Sequence, residues 1–210
     1  MADMERRCMA VDLRSVMGEA GARRLEGYAV VFGSLSEEMF GFREIIEPGA
    51  FRESLSTNPD VRALFNHDPS LVLGRTLNGT LALAEDAHGL RVAITLPDTS
   101  YARDVVTLVE RGDVSQMSFA FSVRKNGETW ATENGQLVRR LRALNLFDVS
   151  VVTFPAYAAT TVAARAMEMA SKTESDGRAA TEIEEPVYDR GRAAGVVAAL
   201  QQSIEILRRR

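Results

Sequence analysis

The chain has 210 residues, 46% of them hydrophobic, enough for one packed domain with an appendage and too apolar for a disordered protein. With 25 basic and 29 acidic residues well mixed and a formal net charge of -4, no basic stripe marks a nucleic-acid footprint. A single cysteine, Cys8, excludes an intramolecular disulfide and suits a reducing compartment. No stretch approaches about 18 uninterrupted apolar residues, and the charged start MADMERRCMAVDLR is unlike a signal peptide, so a soluble, cytoplasmic protein without membrane partners is expected.

In chain order, the charged N-terminal segment around Cys8 is compatible with disorder. Leu25–Phe32 and Arg43–Glu47 are predicted strands, and Pro48-Gly49 ends the second before a short helix in AFRESL. Val61–Phe65 is a third strand, closed by the turn sequence Asn66-His67-Asp68-Pro69. Leu81–Ala84 and Leu90–Leu96 flank a hairpin turn at Glu85–Gly89. Thr99 or Ser100 starts a helix over Tyr101–Arg111, with Tyr101, Val105, Leu108 and Val109 on its apolar stripe and Gly112 at its C-terminus. Asn134-Gly135 is a two-residue hairpin signal between Trp130–Ala131 and Leu137–Leu141, and Leu144–Phe154 completes the core. Roughly seven or eight strands with two or three helices indicate a mainly β, α+β domain over residues 1–165, its sheet closed or strongly curved. Residues 166–187 are polar and are expected to form a flexible linker; 188–210 carry a short amphipathic helix through Ala193, Val196, Val197, Leu200, Ile204 and Leu207.

Three places concentrate chemistry-bearing residues. His88 sits at a hairpin tip with no evident role, whereas His67 ends an apolar strand, where a fixed backbone can offer a side chain to a cleft. In Met117-Ser118-Phe119-Ala120-Phe121-Ser122-Val123 the large side chains share one face, so Ser118 points away from the core among small neighbours with room around its hydroxyl. Asp148, in the apolar strand Leu144–Phe154, needs a partner, because a buried carboxylate without one is costly. His67, Arg140 or Arg142 could each supply it. Nucleophile, base and orienter are thus present in the chain order His, Ser, Asp, although order alone does not establish proximity. Two histidines far apart and one cysteine offer no zinc-ligand spacing, and no Gly-rich phosphate loop occurs, so no metal or cofactor is expected.

The segments Gly27-Tyr28-Ala29-Val30-Val31-Phe32, Glu47-Pro48-Gly49-Ala50-Phe51, Leu64-Phe65-Asn66-His67-Asp68, Met117-Ser118-Phe119-Ala120-Phe121 and Asp148-Val149-Ser150-Val151-Val152-Thr153-Phe154-Pro155-Ala156 occur in that order. Together, over about residues 25–165, they resemble the prohead proteases of tailed bacteriophages. The resemblance implies a mostly antiparallel β-barrel ringed by helices, as in the herpesvirus assemblins. It also implies a serine endopeptidase packaged in the procapsid within the bacterial host. There it would cut the scaffold protein or the scaffold segment of the major capsid protein, and finally itself; dimerisation or high local concentration would confine its activity. By position, His67 matches the family's general base, Ser118 its nucleophile and Asp148 the orienting acid, where the family more often carries Glu. Ala120 replaces a usual Gly, and Tyr157 a usual Asn.

The implied mechanism has His67 take the Ser118 proton and return it to the leaving amine, with oxyanion donors expected near Pro155–Ala158. Ser115 and Ser150 are rival nucleophiles, and Cys8 is a weaker one. The principal competing function is a non-catalytic capsid-assembly or scaffold-binding module on the same β-core, in which His67 and Ser118 need not meet. A small-ester hydrolase would need an enclosed pocket, and the chain lacks the Gly-x-Ser-x-Gly elbow of the common α/β type.

Overall fold

The computed structural model describes residues 4–154, apart from 11–12, 19–20, 40 and 58. The expected linker, C-terminal helix and oxyanion segment lie outside those residues. Twelve strands and two α-helices occur in the order β1 (Glu5–Ala10), β2 (Arg14–Met17), β3 (Arg23–Val31), β4 (Phe42–Ile46), α1 (Arg52–Ser56), β5 (Arg62–Phe65), β6 (Asp68–Arg75), β7 (Leu81–Glu85), β8 (Gly89–Thr95), α2 (Ser100–Arg111), β9 (Gln116–Val123), β10 (Glu128–Glu133), β11 (Gln136–Leu141) and β12 (Leu144–Val152). The domain is mainly β with few helices, as expected, but among the described residues no closed barrel of the expected kind forms. Its ladders divide into three sheets with orders β1-β9-β12-β5-β6, β10-β11-β4 and β2-β3-β8-β7. Two pairings, β12 with β5 and β11 with β4, are parallel; the others are antiparallel.

The predicted turn chemistry is realised. Asn134 and Gly135 both have positive φ (52° and 76°), as a two-residue hairpin of the primed type requires. Gly112 ends α2 at φ 78°, accepting the left-handed backbone that a side chain resists. The buried face of α2 is Ala102, Val105, Val106 and Val109; Tyr101 and Leu108, expected on the stripe, pack at its margin.

The N-terminal segment is not unstructured. Residues 5–10 form the edge strand β1, paired with β9 so that Cys8 stands opposite Ser118. Its charges escaped notice as a strand because Glu5 and Arg7 are buried in an ionic network rather than hydrated. Arg139 reaches Glu5 (2.7 and 2.9 Å), Glu44 (2.7 Å) and Glu128 (2.5 Å), while Arg7 bonds Glu5 (2.8 Å) and Glu44. The two guanidinium groups also lie over aromatic faces, Arg7 on Phe121 and Arg139 on Trp130 at 5.6 and 5.5 Å. This network ties β1 to β4, β10 and β11, and so joins two of the sheets.

The core against the five-stranded sheet is built by Met117, Phe119 and Phe121 of β9 and by Leu144, Leu146, Val149 and Val151 of β12, all buried. Phe51, delivered by the Glu-Pro-Gly-Ala-Phe segment, meets Phe119 edge-on at 5.8 Å. The same segment grips β12, since the Leu144 N–H donates to the Ala50 carbonyl at 2.8 Å.

Candidate active site

Along β12 the core-facing residues change parity: Leu144 and Leu146 are even, Val149 and Val151 odd. A β-bulge between Leu146 and Asp148 makes the change, with Phe147 as the extra residue, 43% exposed. Strand side chains alternate strictly, so without the bulge Asp148 and Ser150 would follow Leu146 into the core. The bulge turns both to the opposite face, in register with Ala120 and Ser118 of β9. A Leu146 N–H left at this irregularity donates to the buried Ser54 Oγ of α1 at 3.1 Å, which satisfies it.

His67 comes from the neighbouring strand. Asn66 and His67 form the two-residue turn between β5 and β6, both with positive φ (54° and 56°). The turn is fixed to the end of β12: Asn66 N–H donates to the Val151 carbonyl (2.9 Å) and Asn66 Oδ1 accepts from Thr153 N–H (3.0 Å). Since β5 runs parallel to β12, with Ser150 beside Leu64 and Val151 beside Phe65, this turn lies next to the bulge-shifted residues. His67 therefore belongs to the turn itself rather than to the strand end predicted for it.

These three elements bring the predicted residues together. His67 Nε2 lies 2.6 Å from Ser118 Oγ, and His67 Nδ1 lies 2.7 Å from Asp148 Oδ1. With Nδ1–H donating to the carboxylate, Nε2 is the nitrogen free to accept the hydroxyl proton. Exposure of the side chains is 4% for His67 and 13% for Asp148, and Ser118 is fully buried. Low local dielectric strengthens the carboxylate's hold on an imidazolium. The open room foreseen around Ser118 is absent, because Ser118, Ala120 and Ser122 are all buried and β9 is covered on both faces.

The alternative residues have surroundings of their own. Arg140 is bound to Glu133 and Glu47, and Arg142 to Glu47, so neither partners Asp148. Ser115 is exposed, while Cys8 bonds Gln116 at 3.4 Å and the imidazole is directed to Ser118 instead. Ser150 is buried in the cluster, but its Oγ faces Asp148 Oδ1 (2.8 Å) and the Nδ1 side of His67 (3.1 Å). His88 is exposed at its hairpin tip, against Tyr28. Cys8, Gln116, Met9, Val31, Met39 and Ile46 are among the residues lining a cavity of about 360 Å³, which Ser118, His67 and Asp148 do not line.

A hydroxyl, imidazole and carboxylate in line can pass a proton from nucleophile to leaving group, the arrangement of serine hydrolases on several unrelated folds. Residues 9–175 match the family model of the caudovirus prohead serine proteases. The chain belongs to this family. The prohead protease of Enterobacteria phage HK97 is 37% identical over 134 residues, which cover 62% of this chain and 55% of that protein; the chain thus spans little more than half the length of that relative. Among solved structures, the capsid assembly protease of bacteriophage T4 aligns with a TM-score of 0.46 at 10% identity, covering 70% of this chain and 98% of that one. Family membership agrees with the resemblance drawn from the sequence motifs, and the motifs now have places: the Met-Ser-Phe strand is β9, the Phe-Asn-His-Asp turn joins β5 to β6, and Asp-Val-Ser-Val-Val is the part of β12 beyond the bulge. Sequence reasoning missed the bulge, whose signal was the parity change, and the fastening of the turn by Asn66, which no pattern announces. No described helix is long and apolar enough to cross a membrane.

Proposed function

We propose that this chain is a serine endopeptidase of prohead maturation, with Ser118 as nucleophile, His67 as general base and then general acid, and Asp148 holding the imidazole. The observation that carries the reading is the continuous hydrogen-bonded path from Ser118 Oγ through both nitrogens of His67 to Asp148 Oδ1, at 2.6 and 2.7 Å. Its substrates are the scaffold protein or the scaffold segment of the major capsid protein, and the chain itself within 166–190. Attack of Ser118 Oγ on the scissile carbonyl transfers its proton to Nε2, and the imidazolium then protonates the departing amine. Because Ser118 is buried, a substrate must displace what surrounds it before the carbonyl can reach Oγ.

Co-expression with a capsid and a scaffold protein of the same source tests this reading, wild type against Ser118→Ala, with intact masses of all three proteins as readout. Loss of a triad member costs about four to six orders of magnitude in rate, so processing should vanish in the variant. Processing that survives in Ser118→Ala would move the nucleophile to Ser115 or Ser150 or the cleavage to another protease, and particles that assemble uncut with the wild type would move the function to a non-catalytic assembly module.

A further inference from the structure

Ser150 stands beside the Ser118–His67–Asp148 path without belonging to it. Its hydroxyl is fully buried, with no solvent to bond, and its place is fixed by register with Ser118 on one side and Leu64 on the other. Oδ1 of Asp148 accepts from two donors, His67 Nδ1 at 2.7 Å and Ser150 Oγ at 2.8 Å, and the two donors are themselves 3.1 Å apart. The three atoms form a closed triangle. A serine spending its only proton on a carboxylate, and facing the nitrogen that already donates, has no base to activate it. Its oxygen lone pairs, however, face the Nδ1–H. The bulge at Phe147 that turns Asp148 to this face turns Ser150 with it, two residues on, so one backbone irregularity sets both groups.

We propose that Ser150 is a positioning residue: by donating to Oδ1 and sharing the Nδ1–H, it fixes the Asp148 carboxylate and the His67 tautomer for attack by Ser118. A carboxylate on a single bond retains rotation about its two side-chain torsions, and the second donor removes that freedom at the oxygen the imidazole uses. This inference rests on the triad reading, and the experiment separates the two. Full-length wild type, Ser118→Ala, Ser150→Ala and Ser150→Thr are reacted with a fluorophosphonate probe, and the low-field proton resonance of His67 Nδ1–H is recorded for each. His88, the other histidine, is exposed at a hairpin tip, where rapid exchange with water leaves the low-field region to His67.

Loss of a hydrogen bond to a charged group predicts that Ser150→Ala slows Ser118 labelling by about 10–100-fold and displaces or broadens the Nδ1–H resonance. Ser150→Thr keeps the hydroxyl and should keep the resonance in place. Labelling of Ser118→Ala at the wild-type rate would sink the triad reading itself. If Ser118→Ala is silent but Ser150→Ala leaves the resonance unmoved, whatever its rate, the positioning role is wrong while the triad stands.

Discussion

Replacing Arg139 with Met tests whether the ionic network under β1 holds the domain together. Arg139 is fully buried and bonds three carboxylates, those of Glu5, Glu44 and Glu128. Methionine keeps much of the length and removes the charge, leaving Arg7 alone with Glu5 and Glu44 in a space that water does not reach. Breaking a buried ion pair from one side costs about 3–5 kcal/mol, a large part of the roughly 5–15 kcal/mol by which domains are stable. At about 2 kcal/mol per molar of urea, the unfolding midpoint should fall by about 2 M at pH 7. Trp130, the only tryptophan, lies under the Arg139 guanidinium and reports unfolding by its fluorescence.

The same variant carries a pH signature. Burial pushes the Glu5 carboxyl up, but bonds and charge from Arg139 and Arg7 outweigh it and hold the group below the usual carboxylate range. In the wild type, Glu5 therefore contributes stability that is present above its unfolded value and lost as pH falls through the lowered folded one. Without Arg139, burial is opposed by Arg7 alone and the folded value rises, so the variant loses less stability on acidification than the wild type does. The gap between the two should be widest near pH 7 and narrow toward pH 4. A gap under about 1 kcal/mol, or one that does not change over that range, would refute the account of the network.

Two further perturbations address the backbone, one at the site and one in the four-stranded sheet. Deleting Phe147 removes the bulge and lets Asp148 follow Leu146 directly, which keeps Asp148 opposite Ala120 and Ser150 opposite Ser118, so processing should survive in the deletion variant as in Phe147→Ala, each within about tenfold of wild type. Gly89→Ala places a Cβ 1.9 Å from the Val30 carbonyl oxygen, so β3 and β8 must part, and the thermal unfolding midpoint should drop by an amount equivalent to about 3 kcal/mol.

Much of this fold was legible because local signals and burial agreed. Asn134-Gly135 declared its hairpin, Gly112 its helix end, and the apolar faces of β3, β8 and β9 their strands. Where the two disagreed, the sequence misled. In β1, alternation is carried by Glu5, Arg7 and Met9, and charge that is buried by pairing looks the same in a sequence as charge that is hydrated. Strand β6 opens on Asp68-Pro69, a pair that signals a turn, and its pairing with β5 is broken by two register shifts, so no clean period-2 run survives. Ser118, His67 and Asp148 were each visible as an oddity of their own segment. Their convergence was not, since it depends on a turn pinned by Asn66 and on a one-residue bulge at Phe147. Ser150 looked like a rival nucleophile because spacing places it on the Asp148 face, but only the register with β9 and the distances to Oδ1 and Nδ1 reveal which side of the imidazole it serves.

The central claim is that Ser118 is a nucleophile activated by His67, and mapping the fluorophosphonate adduct tests it most directly. Full-length wild type, His67→Ala and Asp148→Asn are treated with the probe, digested, and the modified peptide is sequenced by mass spectrometry. The account predicts a single adduct on Ser118 in the wild type, absent in His67→Ala and strongly slowed in Asp148→Asn. An adduct on Ser115 or Ser150, or one on Ser118 that forms equally well without His67, would contradict it.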